Sequence, residues 1–482
     1  MSDPEVIVVG GGNAGYCAAH AAAERGRRVL LLEKAPKTDA GGNSYYTLGS
    51  TRMVHAGLAD LLEVLEPDQR HARTEVPPYP EAEFLADLER VTEGRGDKEL
   101  AEAVVEGSRD AVRWLHGLGM RFELMYERQA HEQPDGTFEF WGGSHVRNVG
   151  GGPGLMAVHE QVAARLGVEV RYDCAVTGLI IDAGEVVGVR VGEDELRAES
   201  VVIASGGFEA NAEWRQRHLG DGWQYAKVRG TPYNTGDLIQ AALEIGADRG
   251  GDWSTCHSVP WDASFPGNES NRALTNRLSR YGYPLGIVVN RHGQRFLDEG
   301  ADFRNYTYAK YGKVILEQPG SVAFQVFDAN ARAMLAAYEY EMPGIVPVVA
   351  DSVEGLAAAL EIDVDGFVRT VKEFNSSIDT TRPLDPAVKD GRLAAVEPVK
   401  SNWAAAIDKS PYYAYPVTCG ISFTFGGLRG DVDGRVLDRS GEPIPGLFAC
   451  GETLGGLFSG NYPTGAGLIA GSVIGRRAGA LA

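Results

Sequence analysis

The sequence predicts an α/β protein in which a domain built on a central parallel sheet is interrupted by a second, α+β domain. The chain begins with an apolar strand, a glycine-rich turn, a helical segment and a second apolar strand. Two later segments, Val201–Phe208 and Ile444–Glu452, are again apolar strands that run into glycines. Between them, from about Trp253, the regular alternation of strands and helices is lost, and Trp, Tyr, Arg, Asn and Pro become frequent. These observations place the inserted domain in the middle of the chain.

The length of the chain agrees with two domains. A chain of 482 residues is too long for one ordinary hydrophobic core. We predict that residues 1–251 and 423–482 form the first domain, which is Rossmann-like. Residues 252–422 are predicted to form a capping domain that contributes to a substrate site.

The opening unit carries the strongest signal. A turn of the pattern G-x-G-x-x-G follows the strand Val6–Val9, and the next strand, Val29–Leu32, ends at Glu33. The first glycine permits a tight turn, the second lets the backbone approach a pyrophosphate, and the third lets the helix pack on the sheet. These glycines are Gly10, Gly12 and Gly15. The helix N-terminus favours phosphate, and an acidic residue at this distance can accept hydrogen bonds from a ribose hydroxyl. The unit therefore predicts a dinucleotide site.

The segments that follow are predicted in less detail. A Gly/Asn/Ser loop at Ala40–Tyr46 comes first, then a polar, Pro-rich surface segment from Glu66 to Pro80. Helical periodicity predicts two charged helices between Phe84 and Leu118. A meander of short strands is then expected, at Val168–Tyr172, Val176–Ile181 and Val186–Val191. The meander belongs to the first domain.

Composition excludes several classes of partner. The formal charge of −20 disfavours nucleic acids and anionic membranes. No apolar run approaches the roughly 20 residues that span a bilayer, and the N-terminus has no signal-peptide pattern. The five cysteines are scattered and form no C-x-x-C pair, which argues against disulfides, an iron–sulfur cluster, attached haem or a metal site. We therefore expect a protein of the reducing cytoplasm.

Further motifs follow the opening fingerprint in order. They are Gly41-Gly42-Asn43-Ser44, Ala204-Ser205-Gly206-Gly207-Phe208, Thr235-Gly236-Asp237, Gly451-Glu452 and Gly465-Ala466-Gly467-Leu468. The inserted domain contains N-x-x-G-x-R-F-x-x-E at residues 290–299. In this combination the chain resembles the FAD-dependent flavoprotein superfamily of fumarate reductase and succinate dehydrogenase. It is most similar to the tricarballylate dehydrogenase branch, with partial similarity to 3-ketosteroid Δ1-dehydrogenases.

The resemblance implies that the dinucleotide is FAD. Covalently flavinylated relatives place a histidine in the loop at Gly41–Ser44, and this chain has none there, so non-covalent binding is expected. The residues expected to contact the cofactor are Gly10, Gly12, Asn13, Ala14, Gly15, Glu33, Lys34, Gly41, Gly42, Asn43, Ser44, Val176, Ser205, Gly206, Gly207, Asp237, Gly451, Glu452, Gly467 and Leu468.

The resemblance also implies four catalytic residues. Arg304 follows the N-x-x-G-x-R-F-x-x-E signature, one residue out of register with the catalytic arginine of fumarate reductases. His257 matches a histidine that binds a substrate carboxylate, and Arg280, beside Tyr281, lies where the family relays protons. Tyr462 resembles the tyrosine that supports enolisation in ketosteroid dehydrogenases.

Each of these residues has an alternative interpretation. Arg304 could form a structural ion pair with Asp298, Glu299 or Asp302. His257 could be a core histidine, Tyr462 could pack against the flavin, and Tyr281 and Tyr306 are more typical of packing. The family's two-ended dicarboxylate clamp is incomplete here: Phe423 replaces a histidine, and the segment Asn461–Gly465 lacks the second arginine.

We therefore predict an oxidoreductase that interconverts a C–C single and double bond next to a carboxylate or carbonyl. Dehydrogenation of a small polycarboxylic acid, by hydride transfer to flavin N5, is the first expectation. A Δ1-desaturase of a cyclic ketone and a fumarate-reductase-like enoate reductase are the closest alternatives. An NAD-dependent dehydrogenase and a non-catalytic flavin-binding protein are more distant ones. The electron partner should be external: quinone, O2 or a redox protein.

Overall fold

The computed structural model describes residues 3–265 and 271–482 and confirms the α/β class. Its central sheet has six strands, and neighbouring strands are parallel except at the edge formed by the last two strands of the chain. In spatial order the strands are Arg435–Leu437, Pro443–Ala449, Ser200–Ile203, Val6–Val9, Val29–Leu32 and Glu169–Arg171. The first strand of the chain is therefore in the interior of the sheet, and all four of its residues are buried.

The meander differs from its prediction. Its three antiparallel strands are Val176–Asp182, Glu185–Val191 and Asp194–Arg197. The predicted first strand of the meander, Glu169–Arg171, instead pairs in parallel with Val29–Leu32 in the central sheet. Periodicity identifies a strand without identifying its partner. The missed strand Asp194–Arg197 contains only one apolar residue, which is why no pattern revealed it.

A second six-stranded sheet forms the opposite side of the molecule. Its longest strand is Tyr412–Thr424, against which four other strands pair directly. The other strands of this sheet are Lys227–Val228, Cys256–Asp262, Ile287–Val289, Ala323–Phe327 and Val348–Ala350. The strand Tyr412–Thr424 crosses the predicted domain boundary between residues 422 and 423. The strand Lys227–Val228, which pairs with it, belongs to the predicted first domain, so this sheet contains strands from both predicted domains. The division into two domains stays a prediction.

Helices and short strands complete the fold. The predicted pair of charged helices is present at Glu81–Thr92 and Lys98–Leu118. The other α-helices are Asn13–Glu24, Gly42–Tyr46, Leu58–Leu61, Tyr126–Gln129, Gly151–Leu166, Ala212–Leu219, Asp237–Glu244, Tyr308–Leu316, Ala329–Ala333, Ala337–Tyr340, Val353–Ala359, Val364–Ser376 and Ala466–Leu481. Single 3-10 turns occur at Gln69–Arg73, Trp223–Tyr225, Tyr283–Leu285, Arg304–Tyr306, Pro319–Ser321 and Gly451–Thr453. Short strands occur at Ser50–Thr51, Thr74–Glu75, Phe122–Leu124, Ala130–Glu132, Phe138–Phe140, Val146–Asn148, Arg249–Gly250 and Gly427–Leu428.

None of the helices within residues 3–265 and 271–482 combines the length and the hydropathy that crossing a bilayer requires.

The first helix, Asn13–Glu24, and the C-terminal helix, Ala466–Leu481, pack against each other at very short range. A methyl group added at Gly475 would lie 2.5 Å from the carbonyl oxygen of Ala14, and one at Gly479 would lie 2.0 Å from that of Ala18. Glycine is therefore needed at both positions. The contact brings the N-terminal ends of the two helices to the same edge of the central sheet.

We expect Gly479→Ala to lower the free energy of unfolding by about 1–3 kcal/mol, because overpacking a tight contact forces the backbone apart. Gly117→Ala is the matched control, since Gly117 is also helical but has no atom near its added methyl group. That control should gain up to about 1 kcal/mol from helix propensity. Chemical denaturation of both variants measures the effect. Equal free energies for the two variants would contradict the tight contact.

Candidate active site

A cavity opens at the carboxyl ends of the parallel strands in the central sheet. The residues that follow four of these strands all line it: Gly10, Glu33, Ala204 and Cys450. The opposite wall comes from the second sheet, through His257 and Phe423. The cavity has a volume of about 290 Å³, measured as the space available to the centre of a water molecule. Open α/β sheets bind their ligands at this edge.

Most of the residues predicted to contact the cofactor meet in this cavity. Seventeen of the twenty line it: Gly10, Gly12, Asn13, Ala14, Glu33, Lys34, Gly42, Asn43, Ser44, Val176, Ser205, Gly206, Asp237, Gly451, Glu452, Gly467 and Leu468. The remaining three are Gly15, Gly41 and Gly207.

Gly15 and Gly207 each make room for a neighbour. A methyl group at Gly15 would lie 2.0 Å from the carbonyl oxygen of Gly10, so this glycine permits the helix to pack on the turn. A methyl group at Gly207 would lie 2.2 Å from Oε1 of Glu452. Gly41 precedes the short helix Gly42–Tyr46 with φ of 108°, a conformation that favours glycine.

The glycine-rich turn has the geometry that a dinucleotide requires. Gly10 has φ of 111°, and a methyl group there would lie 2.2 Å from the carbonyl oxygen of Ala204. The helix that starts at Asn13 has glycine, Gly12, at its N-cap, and its first N–H, that of Asn13, donates to Ser44 Oγ at 2.9 Å. Gly42 faces this turn, and a methyl group added there would lie 3.8 Å from Cα of Gly12. Side-chain-free backbone at Gly12 and Gly42, beside a helix N-terminus, fits a pyrophosphate.

Glu33 is held rigidly at the end of its strand. Its Oε2 accepts a hydrogen bond from the Gly11 N–H at 2.7 Å, and its Oε1 accepts one from the Ala35 N–H at 2.8 Å. Burial raises the pKa of the Glu33 carboxyl, and these hydrogen bonds oppose the shift. Lys34 beside it donates to Asp237 Oδ2 at 2.7 Å. The ribose contact predicted for Glu33 stays a prediction.

His257 lies in an aromatic cluster on the far wall. Its ring centroid is 5.0 Å from those of Tyr308 and Tyr462 and 5.1 Å from that of Phe423. Only 2% of the residue is exposed. Burial holds the pKa of His257 well below its usual range, and the nearby Arg229 guanidinium lowers it further. His257 is therefore a neutral imidazole at physiological pH, and its Nδ1 has no hydrogen-bond partner among the described residues.

Arg304 lines the same cavity, and it does not form the ion pair that was the alternative to a catalytic role. Its Nη2 donates to the carbonyl oxygen of Arg128 at 2.5 Å. Within residues 3–265 and 271–482, no carboxylate oxygen lies within 4.0 Å of its guanidinium nitrogens. The three acids suggested as partners bind elsewhere, because Asp302 pairs with Arg90 and Lys389, Glu299 pairs with Arg295, and Asp298 binds Ser401.

Arg280 does not reach the cavity. It is fully buried in an ion pair with Asp262, at 3.0 Å between Nη2 and Oδ2, and also donates to the carbonyl oxygen of Arg277. Its neighbour Tyr281 lines the cavity instead, and the buried Tyr281 hydroxyl has no hydrogen-bond partner among the described residues. Successive residues of an extended segment point to opposite sides, which is why Tyr281 faces the cavity while Arg280 faces Asp262.

Sequence reasoning missed two arginines of the cavity. Arg229 donates to Ser422 Oγ at 2.7 Å and to Ser279 Oγ at 3.1 Å, and no carboxylate in the described part of the chain lies within 4.0 Å of it. Arg128 pairs with the buried Glu339 at 2.6 Å. No local sequence pattern marks Arg229, because the cavity that it lines forms only when the second sheet packs opposite the central one.

Tyr462 completes the far wall next to the C-terminal helix. Its Oη accepts a hydrogen bond from the Gly467 N–H, in the first turn of that helix, at 3.1 Å. Burial raises the pKa of the Tyr462 hydroxyl. The hydroxyl is therefore protonated at neutral pH, and its hydrogen can be donated to an oxygen bound in the cavity.

Comparison with known proteins agrees with this geometry. The chain is 29% identical to the probable fumarate reductase Ifc3 of Shewanella frigidimarina (strain NCIMB 400), over 98% of this chain and 74% of that protein. It is 26% identical to the 4-oxocyclohexanecarboxylate 2-dehydrogenase of Sinomonas cyclohexanicum, over 98% of this chain and 91% of that protein. Some relatives are longer, and the chain spans 45% and 50% of two of them.

A solved structure shows the same fold over the whole chain. The 3-ketosteroid delta1-dehydrogenase from Sterolibacterium denitrificans, crystallised with 1,4-androstadiene-3,17-dione, superposes with a TM-score of 0.75 and 22% identity, covering 99% of each chain. The family model described as FAD binding domain matches residues 5–469. The chain therefore belongs to the FAD binding domain family, within the fumarate reductase and succinate dehydrogenase flavoprotein superfamily, and is an FAD-dependent dehydrogenase or reductase of CH–CH groups.

Proposed function

We propose that this enzyme, with FAD bound non-covalently, dehydrogenates a small polycarboxylic acid that resembles tricarballylate. Bound FAD supplies the two-electron acceptor for the hydride that leaves the β-carbon. The observation that carries the proposal is the position of Arg229 and Arg304, two guanidinium groups without carboxylate partners among the described residues, in the cavity that the glycine-rich turn also lines. Non-covalent binding is supported by the absence of histidine from the loop Gly41–Ser44.

The arginines would bind the substrate carboxylates. A guanidinium presents a rigid set of N–H donors that matches a carboxylate, and such charge-assisted hydrogen bonds are about twice as strong as neutral ones. Arg128 lies beside Arg304 but is already paired with Glu339, so it adds less free charge. His257 is neutral and would contact a carboxylate as a hydrogen-bond donor. Arg229 would supply positive charge in place of the clamp residues that the family has at Phe423 and within the segment Asn461–Gly465.

Tyr462 and Gly467 would stabilise the developing enolate. Removing the α-proton places negative charge on an oxygen of the adjacent carboxylate or carbonyl, and preorganised donors lower the cost of that charge. The Tyr462 hydroxyl is such a donor, and the Gly467 N–H at the start of the C-terminal helix holds it in position. His257, a neutral imidazole with an unpartnered Nδ1 in the same wall, would be a second hydrogen-bonding group for that oxygen.

Desaturation of a cyclic ketone is the second candidate. The far wall contains Tyr308, Phe423, Phe458 and Tyr462, whose ring centroids lie 5.0–6.4 Å apart in the observed pairs. Such a wall would pack well against a flat or alicyclic ring. A ketone oxygen at Tyr462 would then be the site of enolisation. Enoate reduction uses the same residues in the reverse direction, because a forward and a reverse reaction share one transition state.

The electron partner is proposed to be external, and quinone, O2 and a separate redox protein remain the candidates. This sequence contains no C-x-x-C-H or C-x-x-C motif for haem or an iron–sulfur cluster. The cytoplasmic setting stays a prediction.

Anaerobic titration distinguishes the substrate classes. Purified enzyme is mixed with tricarboxylates, dicarboxylates and cyclic ketones, and bleaching of the flavin absorbance is followed. Bleaching by a tricarboxylate supports the first candidate, and bleaching by ketones alone supports the second. If no compound bleaches the flavin, and the matching alkenes do not reoxidise the reduced enzyme, both candidates fail.

We expect Tyr462→Phe to lower kcat/KM by about 10²–10³-fold, as loss of one donor to an oxyanion does in other enzymes. The ring and its aromatic packing remain, so the FAD content of the purified variant should not change. Tyr283→Phe is the matched control, because it removes a buried hydroxyl that bonds Thr307 at 2.6 Å and does not line the cavity. A Tyr462→Phe enzyme as active as the control would exclude the enolate role.

Arg304→Gln should lower kcat/KM for a carboxylate substrate by about 10–100-fold, which corresponds to the roughly 1.5–3 kcal/mol of one hydrogen bond to a charged group. For a neutral ketone the loss should be much smaller. Arg332→Gln, which removes an ion pair with Glu341, controls for a change of net charge. Steady-state kinetics with both substrate types measures the difference. An equal loss for both would contradict a carboxylate contact.

A further inference from the structure

Two buried histidines lie behind the glycine-rich turn, and sequence reasoning singled out neither of them. His20 is on the first helix, Asn13–Glu24, and His159 is on the helix Gly151–Leu166. Neither residue is exposed to solvent, and His20 Nε2 lies 3.1 Å from His159 Nδ1. The other ring nitrogen of His159, Nε2, lies 3.0 Å from Oδ1 of Asn13, which lines the FAD cavity. The three side chains therefore form one hydrogen-bonded series that ends at the cavity.

The contacts of Asn13 fix the direction of this series. Its Nδ2 lies 3.0 Å from the carbonyl oxygen of Leu468 and 3.0 Å from Oγ of Ser472. A carbonyl oxygen can only accept a hydrogen bond, so the nitrogen of the amide faces Leu468 and its oxygen faces His159. Because the amide oxygen has no hydrogen to give, Nε2 of His159 must carry the hydrogen of that contact.

The same reasoning assigns the hydrogens of both rings. Burial lowers the pKa of His20 to about 3, and the Arg165 guanidinium adds to the shift. Burial also holds the pKa of His159 well below its usual range, so both rings are neutral at pH 7. A neutral imidazole carries one hydrogen, so Nδ1 of His159 is an acceptor and Nε2 of His20 donates to it. The series therefore starts at His20 and runs in one direction to Asn13.

Asn13 joins two parts of the cavity wall. Its backbone N–H donates to Ser44 Oγ at 2.9 Å, in the loop that faces the glycine-rich turn. The two hydrogens of its side-chain amide are taken by Leu468 and Ser472 of the C-terminal helix, and its oxygen accepts from His159. The amide is thus a clamp between the turn and the start of the C-terminal helix.

We propose that His159 and His20 are positioning residues for FAD, which hold the Asn13 amide in the orientation that joins the glycine-rich turn to the start of the C-terminal helix. With His159 in place, this part of the wall is ordered before FAD binds. Without it, the buried amide oxygen loses its donor, and an inverted amide would place that oxygen against the carbonyl oxygen of Leu468. FAD would then have to order the wall as it binds, and its affinity would be lower.

Release of FAD from the diluted holoenzyme, followed by flavin fluorescence, tests the proposal. The dissociation constant of FAD should be about ten-fold higher in His159→Leu than in the wild type, because a buried acceptor is left without its donor. His20→Leu should have a smaller effect, because His159 keeps its hydrogen for Asn13. Equal affinities of His159→Leu and the wild type would overturn the proposal.

His159→Gln is the conservative variant. Its side-chain amide carries N–H hydrogens at about the reach of the histidine Nε2, so it can still donate to Asn13. The dissociation constant of FAD should therefore return close to the wild-type value. If His159→Gln binds FAD as weakly as His159→Leu, the donated hydrogen is not what orders the wall and the proposal is wrong.

A double-variant cycle separates a role through Asn13 from a general loss of packing. Asn13→Ala removes the clamp and should weaken FAD binding at least as much as His159→Leu does. In the Asn13→Ala background, His159→Leu should change the dissociation constant by less than about two-fold, because no amide remains to be held. Additive effects of the two substitutions would contradict the proposal.

The chain contains a second buried histidine pair that serves as the matched control. His55 Nε2 lies 3.0 Å from His145 Nδ1, both residues are buried, and neither lines the cavity. His145→Leu should lower the Tm, as His159→Leu does, but leave the dissociation constant of FAD unchanged. If both substitutions weaken FAD binding equally, lost stability explains the effect and the proposal fails.

The hydrogens can also be located in the wild-type holoenzyme, so that this measurement does not depend on how stable a variant is. Nitrogen-15 NMR of histidine-labelled protein at pH 7 should show His20 and His159 as neutral rings protonated at Nε2 alone. The variants His20→Gln and His159→Gln assign the two sets of signals. A hydrogen on Nδ1 of His159, or an imidazolium at either position, would show that the series does not run to Asn13 and would refute the proposal.

Discussion

The close contact between the first and the C-terminal helix is the constraint on which the site depends. Gly475 and Gly479 let the two backbones approach to a distance that any side chain would prevent. The side-chain amide of Asn13 then reaches the carbonyl oxygen of Leu468 at 3.0 Å. In this way the turn that fits the pyrophosphate and the helix start that holds Tyr462 form one rigid wall, although they come from opposite ends of the chain.

Burial decides the charge of each group in the cavity. It keeps His257 neutral and Tyr462 protonated, and it favours the acid form of Glu452. The arginines retain their charge at any physiological pH. The cavity therefore combines fixed positive charge with neutral hydrogen-bond donors, an arrangement suited to an anionic substrate and to an oxygen that gains negative charge during reaction.

The cofactor site could be predicted in far more detail than the substrate site. Residues such as Gly10, Gly42 and Gly451 belong to short motifs with a defined local backbone geometry, so the sequence alone predicted positions that line the cavity. Arg229 and Tyr281 have no such local signature. Both line the cavity because of where the second sheet places them. Whether Arg280 or Tyr281 reaches the cavity depends on the direction in which each side chain points.

The sequence by itself determined the α/β class, the glycine-rich turn and most of the predicted residues that line the cavity, because strand periodicity and glycine spacing are local properties. Only the tertiary structure decided which strands are neighbours, as with Glu169–Arg171, and which charged groups are already paired. Arg280 is neutralised by Asp262, while Arg304 has no acidic partner among the described residues. The burial of Glu209 and its hydrogen bonds to Asn43 and Asn234 could also be recognised only from the fold. Ion pairing and burial join residues distant along the chain, so no pattern within a segment can reveal them.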